Sequence, residues 1–154
     1  MTVRRHEPDR PLWRCPACGR SFASVGQVHT CRALRSLDEH LDNVELNVRA
    51  TFDAFVAAVR ALGPVEILPQ ASRIAFHKRM SFAVLMPRRR WLNGHLVLAE
   101  HHLDPRFTRV TTYSPRNHVH EFRLTHPDDI DDDFHRHLAA AYEVGRQTHH
   151  QPRR

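Results

Sequence analysis

Apolar residues recur at steps of three and four between positions 37 and 62. Leu37, Leu41, Val44, Val48, Phe52, Phe55, Val59 and Leu62 fall on one stripe, which predicts an amphipathic helix with that stripe against a core. Ser36 precedes the stripe and Glu39 follows three residues on, the spacing of a capping box in which each side chain bonds the other residue's backbone N–H. Gly63-Pro64 ends the pattern, because glycine accepts the terminal turn and proline cannot continue the helix. The stretch is long for a globular helix, so a single helix and two helices broken near Asp42-Asn43 both fit it.

Beyond residue 64 the pattern changes to short runs of strand-forming residues, at 65–68, 73–78, 80–86, 92–99, 110–113 and 117–124, separated by Pro, Gly and charged turn residues. Five or six consecutive strands with no helical stretch between them predict an antiparallel meander with helices over one face. A last helix is expected from Pro127, a favoured first-turn residue, with Asp128, Asp129, Asp131, Asp132 and Asp133 at the positive end of its dipole. Ile130, Phe134, Leu138, Ala141 and Tyr142 form its buried stripe, and fraying is expected after Gln147. These acids are consecutive rather than alternating, unlike a calcium loop, so they read as a helix start. The predicted fold class is α+β.

All three cysteines lie within positions 15–31. An odd number so closely spaced does not make a disulfide framework and points to metal ligation in a reducing compartment. Cys15-Pro16-Ala17-Cys18-Gly19 is a Cys-x-x-Cys turn, which presents two thiolates to one ion with little strain, and Gly19 is free to take a positive φ there. His29 and Cys31 follow, one residue apart, a spacing that puts both side chains on one face of an extended segment. Cys15, Cys18, His29 and Cys31 are therefore expected to bind one structural Zn2+, since a catalytic zinc keeps a position open for water. Trp13 and Phe22 flank the turn as a small apolar cluster, and His6 is a spare candidate ligand. The expected organisation is a flexible lead (1–10), a zinc knuckle (11–35), an α+β domain (36–148) and a flexible tail (149–154).

The formal charge of +6 suits a partner rich in phosphate. Of 23 basic residues only Lys78 is a lysine; arginine favours bidentate phosphate contacts, while coding bias in a GC-rich genome produces the same excess. No apolar run approaches a bilayer span and no hydrophobic segment follows the charged start, so a cytoplasmic protein with no membrane partner is expected.

Several polar groups are candidates for chemistry. On a strand, His118 and His120 share a face with Phe122 and Leu124 while Glu121 and Arg123 point the other way. Buried histidines need partners, so the pair reads as a metal half-site, an acid/base pair, phosphate donors or inert hydrogen-bonded rings. Alternation sends Ile74 and Phe76 inward and Arg73 and His77 outward; with Arg116 and Asn117 on the same open face, these would make a cationic groove for a phosphate or carboxylate. Arg88-Arg89-Arg90-Trp91 is expected at a hairpin tip, where the arginines can pair phosphate and the indole can stack on a base or anchor the next strand. Arg14, Arg20, Arg32 and Arg35 give the knuckle a basic rim. His101-His102 and His149-His150 read as loop and tail residues.

There is no nucleophile elbow, phosphate-binding glycine loop, zinc-protease helix or paired catalytic carboxylates. The motifs Trp13-x-Cys15-Pro16-x-Cys18-Gly19-Arg20-x-Phe22, Gln27-x-His29-x-Cys31, Ile74-Ala75-Phe76, the 114–120 segment and Val144-Gly145-Arg146-Gln147 together resemble a bacterial family of small proteins. In that family the knuckle precedes a domain of unknown function, which is also found attached to predicted nucleases and to proteins linked to transport. The resemblance covers nearly the whole chain and implies an α+β body with an antiparallel sheet. It adds weight to Arg116, Asn117, His118 and His120 and assigns them no role. The leading expectation is a non-enzymatic zinc-containing binding or adaptor protein that contacts DNA, RNA or another anionic partner. An enzyme or small-anion binder using the Arg/His group, and a protein-interaction module stapled by zinc, are the alternatives.

Overall fold

The computed structural model describes residues 10–29, 31 and 35–148. His6, Arg32, His149-His150, and nearly all of the lead and tail, lie outside the described residues.

The apolar stripe forms two helices. α1 (Leu37–Leu41) is capped by the Ser36 hydroxyl, which accepts from the Glu39 N–H at 3.2 Å. The Glu39 carboxylate pairs with Arg35 at 2.7 Å instead of completing the box. α2 (Leu46–Leu62) then starts afresh. The break is set from outside the helix, because the Glu45 N–H donates to the Arg89 carbonyl at 2.8 Å and Glu45 is extended, with ψ 159°. A backbone donor held by a distant loop cannot join the helical ladder.

β1 (Trp13–Arg14) and β2 (Ser21–Phe22) pair as a small hairpin. The main sheet holds β3 (Glu66–Pro69), β4 (Ile74–His77), β5 (Ser81–Pro87), β6 (Leu92–Leu98), β7 (Phe107–Ser114) and β8 (Asn117–Leu124). All neighbours are antiparallel, in the order β3-β4-β5-β6-β8-β7. The expected meander therefore holds only through β6, after which β8 inserts between β6 and β7. Burial explains the exchange: every second residue of β8 is buried, whereas no residue of β7 is, so β8 takes the interior place and β7 the edge.

One face of the sheet carries the core. Ile74, Phe76, Leu85, Leu96 and Phe122 meet Phe52 and Phe55 of α2 and Phe134 and Leu138 of α3 (Asp132–Gly145). Phe55 lies 5.1 Å from Phe76 and Phe122 lies 5.2 Å from Phe134, centroid to centroid. Each such ring contributes roughly 1.5–3 kcal/mol by leaving water. The second, smaller cluster of Leu68, Ala75 and Val84 sits on the opposite face and holds strand residues alone.

The helix expected from Pro127 begins later. Pro127–Asp129 is a single 3-10 turn, and the Asp129 carboxylate accepts from the Thr125 and His126 N–H groups at 2.8 and 3.1 Å. α3 follows with Asp131 as its cap, accepting from the Phe134 N–H at 3.0 Å. The acidic run thus caps two successive turns, and the predicted stripe from Ile130 to Tyr142 is buried. Among the described residues no helix is long and apolar enough to cross a membrane.

Candidate functional site

The β1–β2 turn brings the cysteines together. The Gly19 N–H bonds the Cys15 carbonyl and the Cys15 N–H bonds the Arg20 carbonyl, both at 2.8 Å, and Gly19 takes φ 73° as its position in the turn predicts. The ligand atoms of Cys15, Cys18, His29 and Cys31 all lie within 4.8 Å of one another. Cys15 Sγ is 3.8 Å from Cys31 Sγ, and Cys18 Sγ is 3.3 Å from His29 Nε2. His29 Nδ1–H donates to the Gln27 carbonyl at 2.7 Å, which leaves the Nε2 lone pair aimed at the sulfurs.

The Cys15 and Cys31 thiols are shifted apart. The Cys18 backbone N–H draws Cys15 down to about 6, while Cys31, beside it, is pushed up to about 11. Two sulfurs sharing one proton behave in this way, and a cation can take that proton's place. The four residues can hold a metal ion.

The knuckle is docked on the sheet. Phe22 is buried and lies 4.3 Å from the His29 ring, with Trp13 6.1 Å away, the apolar cluster expected from the sequence. The Arg79 guanidinium donates to the Arg10 carbonyl, and the Arg35 N–H donates to the Pro69 carbonyl at 2.7 Å. His77, expected on the open face, is only 5% exposed because Phe22 covers it; burial draws its pKa down to about 4. Arg14, which is exposed, and Arg20 also contact the knuckle itself. Arg14 Nε donates to the Gly19 carbonyl at 2.8 Å, and the Arg20 guanidinium lies 5.2 Å from the Phe22 ring centroid.

The four residues expected in one cationic groove, Arg73, His77, Arg116 and Asn117, do not converge. Ile74, Leu85, Gly94 and Phe122 form one row across the sheet, so Arg73 belongs near Arg123, whereas Arg116-Asn117 forms the hairpin at the other end of β8. The separation is more than about 20 Å from strand spacing and rise. His118 and His120 lie on the helix-covered face, 7% and 0% exposed, away from Arg73. A sheet twists and registers its strands by their turns, which residue alternation alone does not locate.

Those two histidines belong to a network that sequence reading missed. The Pro115 carbonyl accepts from His118 Nε2–H at 3.1 Å, so His118 Nδ1 accepts from the Thr112 hydroxyl at 2.8 Å, which accepts in turn from His101 Nε2–H at 3.0 Å. His120 Nδ1–H donates to the His118 carbonyl, and its Nε2 accepts from the His102 N–H, both at 3.0 Å. On α3, His137 Nε2–H donates to Asp104 at 3.0 Å and its Nδ1 faces His102 Nδ1 at 2.9 Å. Arg106 grips both oxygens of Asp104 at 2.8 and 2.7 Å and reaches Asp131 at 2.8 Å, holding the Asp104 carboxyl well below the usual range. One signal was available: His137 falls three residues after Phe134 and one before Leu138, on the buried stripe of α3.

A third feature is a basic corner. Arg88, Arg89 and Arg90 are exposed on the β5–β6 hairpin, and Arg123 stacks over Trp91 with its guanidinium 4.3 Å from the ring centroid. Asn93 stands between, accepting from Arg123 at 3.4 Å, with Arg73 two strands away in the same row. Arg90 pairs with Glu45 at 3.6 Å. Among the described residues, Arg73, Arg88, Arg89 and Arg123 have no acidic partner within 4.0 Å.

Fold and site together define an α+β protein with an appended Cys3His module able to hold a metal ion. Residues 37–145 match a family described as "Domain of unknown function (DUF5655)", and the chain belongs to that family. The match runs from the start of α1 to the end of α3, so the cysteine module lies ahead of it. No curated protein and no solved structure matches the chain.

Proposed function

We propose that the chain is a zinc-containing nucleic-acid-binding protein in which the metal module is structural and the basic corner makes the contact. Zinc is favoured by the donor set, since three sulfurs and one imidazole nitrogen suit a tetrahedral ion with Zn–S of about 2.3 Å, whose S···S edge is about 3.8 Å. The Cys15–Cys31 separation of 3.8 Å agrees with that edge. Zinc held by Cys15, Cys18, His29 and Cys31 supplies cross-linking rather than reaction chemistry, because all four positions are filled by protein.

The observation that carries the binding reading is the group Arg73, Arg88, Arg89 and Arg123, exposed and free of acidic partners around Trp91. Guanidinium groups pair with phosphate, and an indole braced by arginine offers a flat surface for a base. Arg14 and Arg20 also contact the knuckle, Arg14 through the Gly19 carbonyl and Arg20 over the Phe22 ring. The test is retention of single-stranded DNA and RNA on filters across a salt series. Binding that weakens steeply with salt, with a slope reduced by about one for each contact removed in Arg88→Ala and Arg123→Ala, is expected. Absence of retention at low salt overturns the reading.

A further inference from the structure

His102 is held twice, by its backbone on an imidazole nitrogen that must be unprotonated to hold it and by its ring on a second imidazole. Its backbone N–H donates to Nε2 of His120 at 3.0 Å, and its ring meets Nδ1 of His137 at 2.9 Å. Both of those rings already use their other nitrogen as a donor, His120 to the His118 carbonyl and His137 to Asp104. His137 therefore receives the proton of His102 Nδ1–H. A second proton on His120 can go only to the accepting nitrogen, where it opposes the backbone N–H of His102, a donor that cannot change its role.

The surroundings give such a proton little welcome. His120 is fully buried, with His101 and His102 of the β6–β7 connection, His118 of its own strand and the Phe107 ring of β7 around it. No carboxylate contacts it among the described residues. His137 differs, because it bonds Asp104, and Asp104 and Asp131 share the single charge of Arg106, so one negative charge remains beside that ring; Glu100 acts on His102 from the connection. Burial and neighbouring imidazoles accordingly lower the pKa of His120.

We propose that the connection from residue 99 to residue 103 is an acid-released latch, in which protonation of His120 breaks its hold on the His102 backbone and loosens this segment from the start of β8, while the His102 ring stays against His137. Arg106 keeps the far end tied to α3 through Asp131 and the Asp129 carbonyl, so the opening is local. The open form admits water to His120, which is then relieved of the burial that opposes its proton, and this makes the release self-reinforcing below the ordinary imidazole pKa.

Nitrogen NMR of the full metal-loaded chain tests the latch. At pH 7.5, His102 and His120 should carry the proton on Nδ1 and His118 and His137 on Nε2. Hydrogen-exchange protection of the His102 amide, measured relative to core amides such as Leu96, should fall by about tenfold per pH unit once titration begins below about pH 6.5. His120→Gln keeps a donor and an acceptor that do not titrate and should flatten that dependence; if that variant does not fold, the protonation of His120 Nε2 followed by nitrogen NMR in the native chain should coincide with the loss of His102 protection. A proton on Nε2 of His120 at pH 7.5, or unchanged relative protection of His102 at pH 5, overturns the proposal.

Discussion

Phe22 of the knuckle sets its ring edge-on to His77 of the sheet, with centroids 6.3 Å apart and planes at 75°. With a metal joining the four side chains, as proposed, that contact would make the cluster part of the body's stability, because a short hairpin has little rigidity of its own. Cys15→Ser, or removal of metal by a chelator, should release Phe22 and lower stability by roughly 1.5–3 kcal/mol, the worth of one buried ring. Metal analysis should give one zinc per chain. Native protein prepared without metal and melting at the same temperature contradicts both statements.

Acid should destabilise the fold through two other histidines. His77 and His95 are drawn from 6.5 to about 4, in both cases chiefly by burial, with Arg73 adding to the effect at His95. Both stay neutral in the fold while the unfolded chain protonates them, so their contribution is fully present above about pH 6.5 and is lost as the pH falls toward about 4. The slope is at most about 1.4 kcal/mol per pH unit for each ring. Urea midpoints at pH 7 and pH 5 measure it, and His95→Leu should make the dependence shallower. Equal midpoints would count against the burial of both rings.

Gly94 lies mid-sheet on β6, where a Cβ would come within 2.5 Å of the Val84 carbonyl and 2.7 Å of the Phe122 ring. The carbonyl belongs to the neighbouring strand and cannot step aside as a flexible side chain can. Gly94→Ala is therefore expected to cost about 1–3 kcal/mol despite adding one methyl group. A denaturation curve unchanged from that of the native chain would show that the sheet yields there.

Asp104 has a side chain only 5% exposed and accepts from Arg106 and His137. Asp104→Asn leaves a half-buried guanidinium with Asp131 as its remaining acid and should cost about 3 kcal/mol. Because Arg106 holds the carboxyl low, this loss should be the same at pH 7 and pH 5. A cost that disappears at pH 5 would mean that the carboxyl titrates near there.

Local chemistry determined much of this protein. The Cys-x-x-Cys turn with His29 and Cys31 specified the cluster able to hold a metal ion, because their spacing within one short segment already limits where the side chains can go. The stripes at 37–62 and 130–142 and the two-residue period between them specified the helices, the strands and which side of β8 is buried, since each periodicity is a property of the backbone.

Long-range pairing decided the rest. The break before α2 depends on a carbonyl at Arg89, and the β8–β7 exchange depends on competition between two strands for one interior place. His77 became a seat for the knuckle, and Arg73 was parted from Arg116, because strand order and register set distances that sequence separation does not encode. His101, His102 and Asp104 looked like loop residues until the fold laid their connection against β8 and α3; there burial obliges each polar atom to find a partner, and the imidazoles found one another.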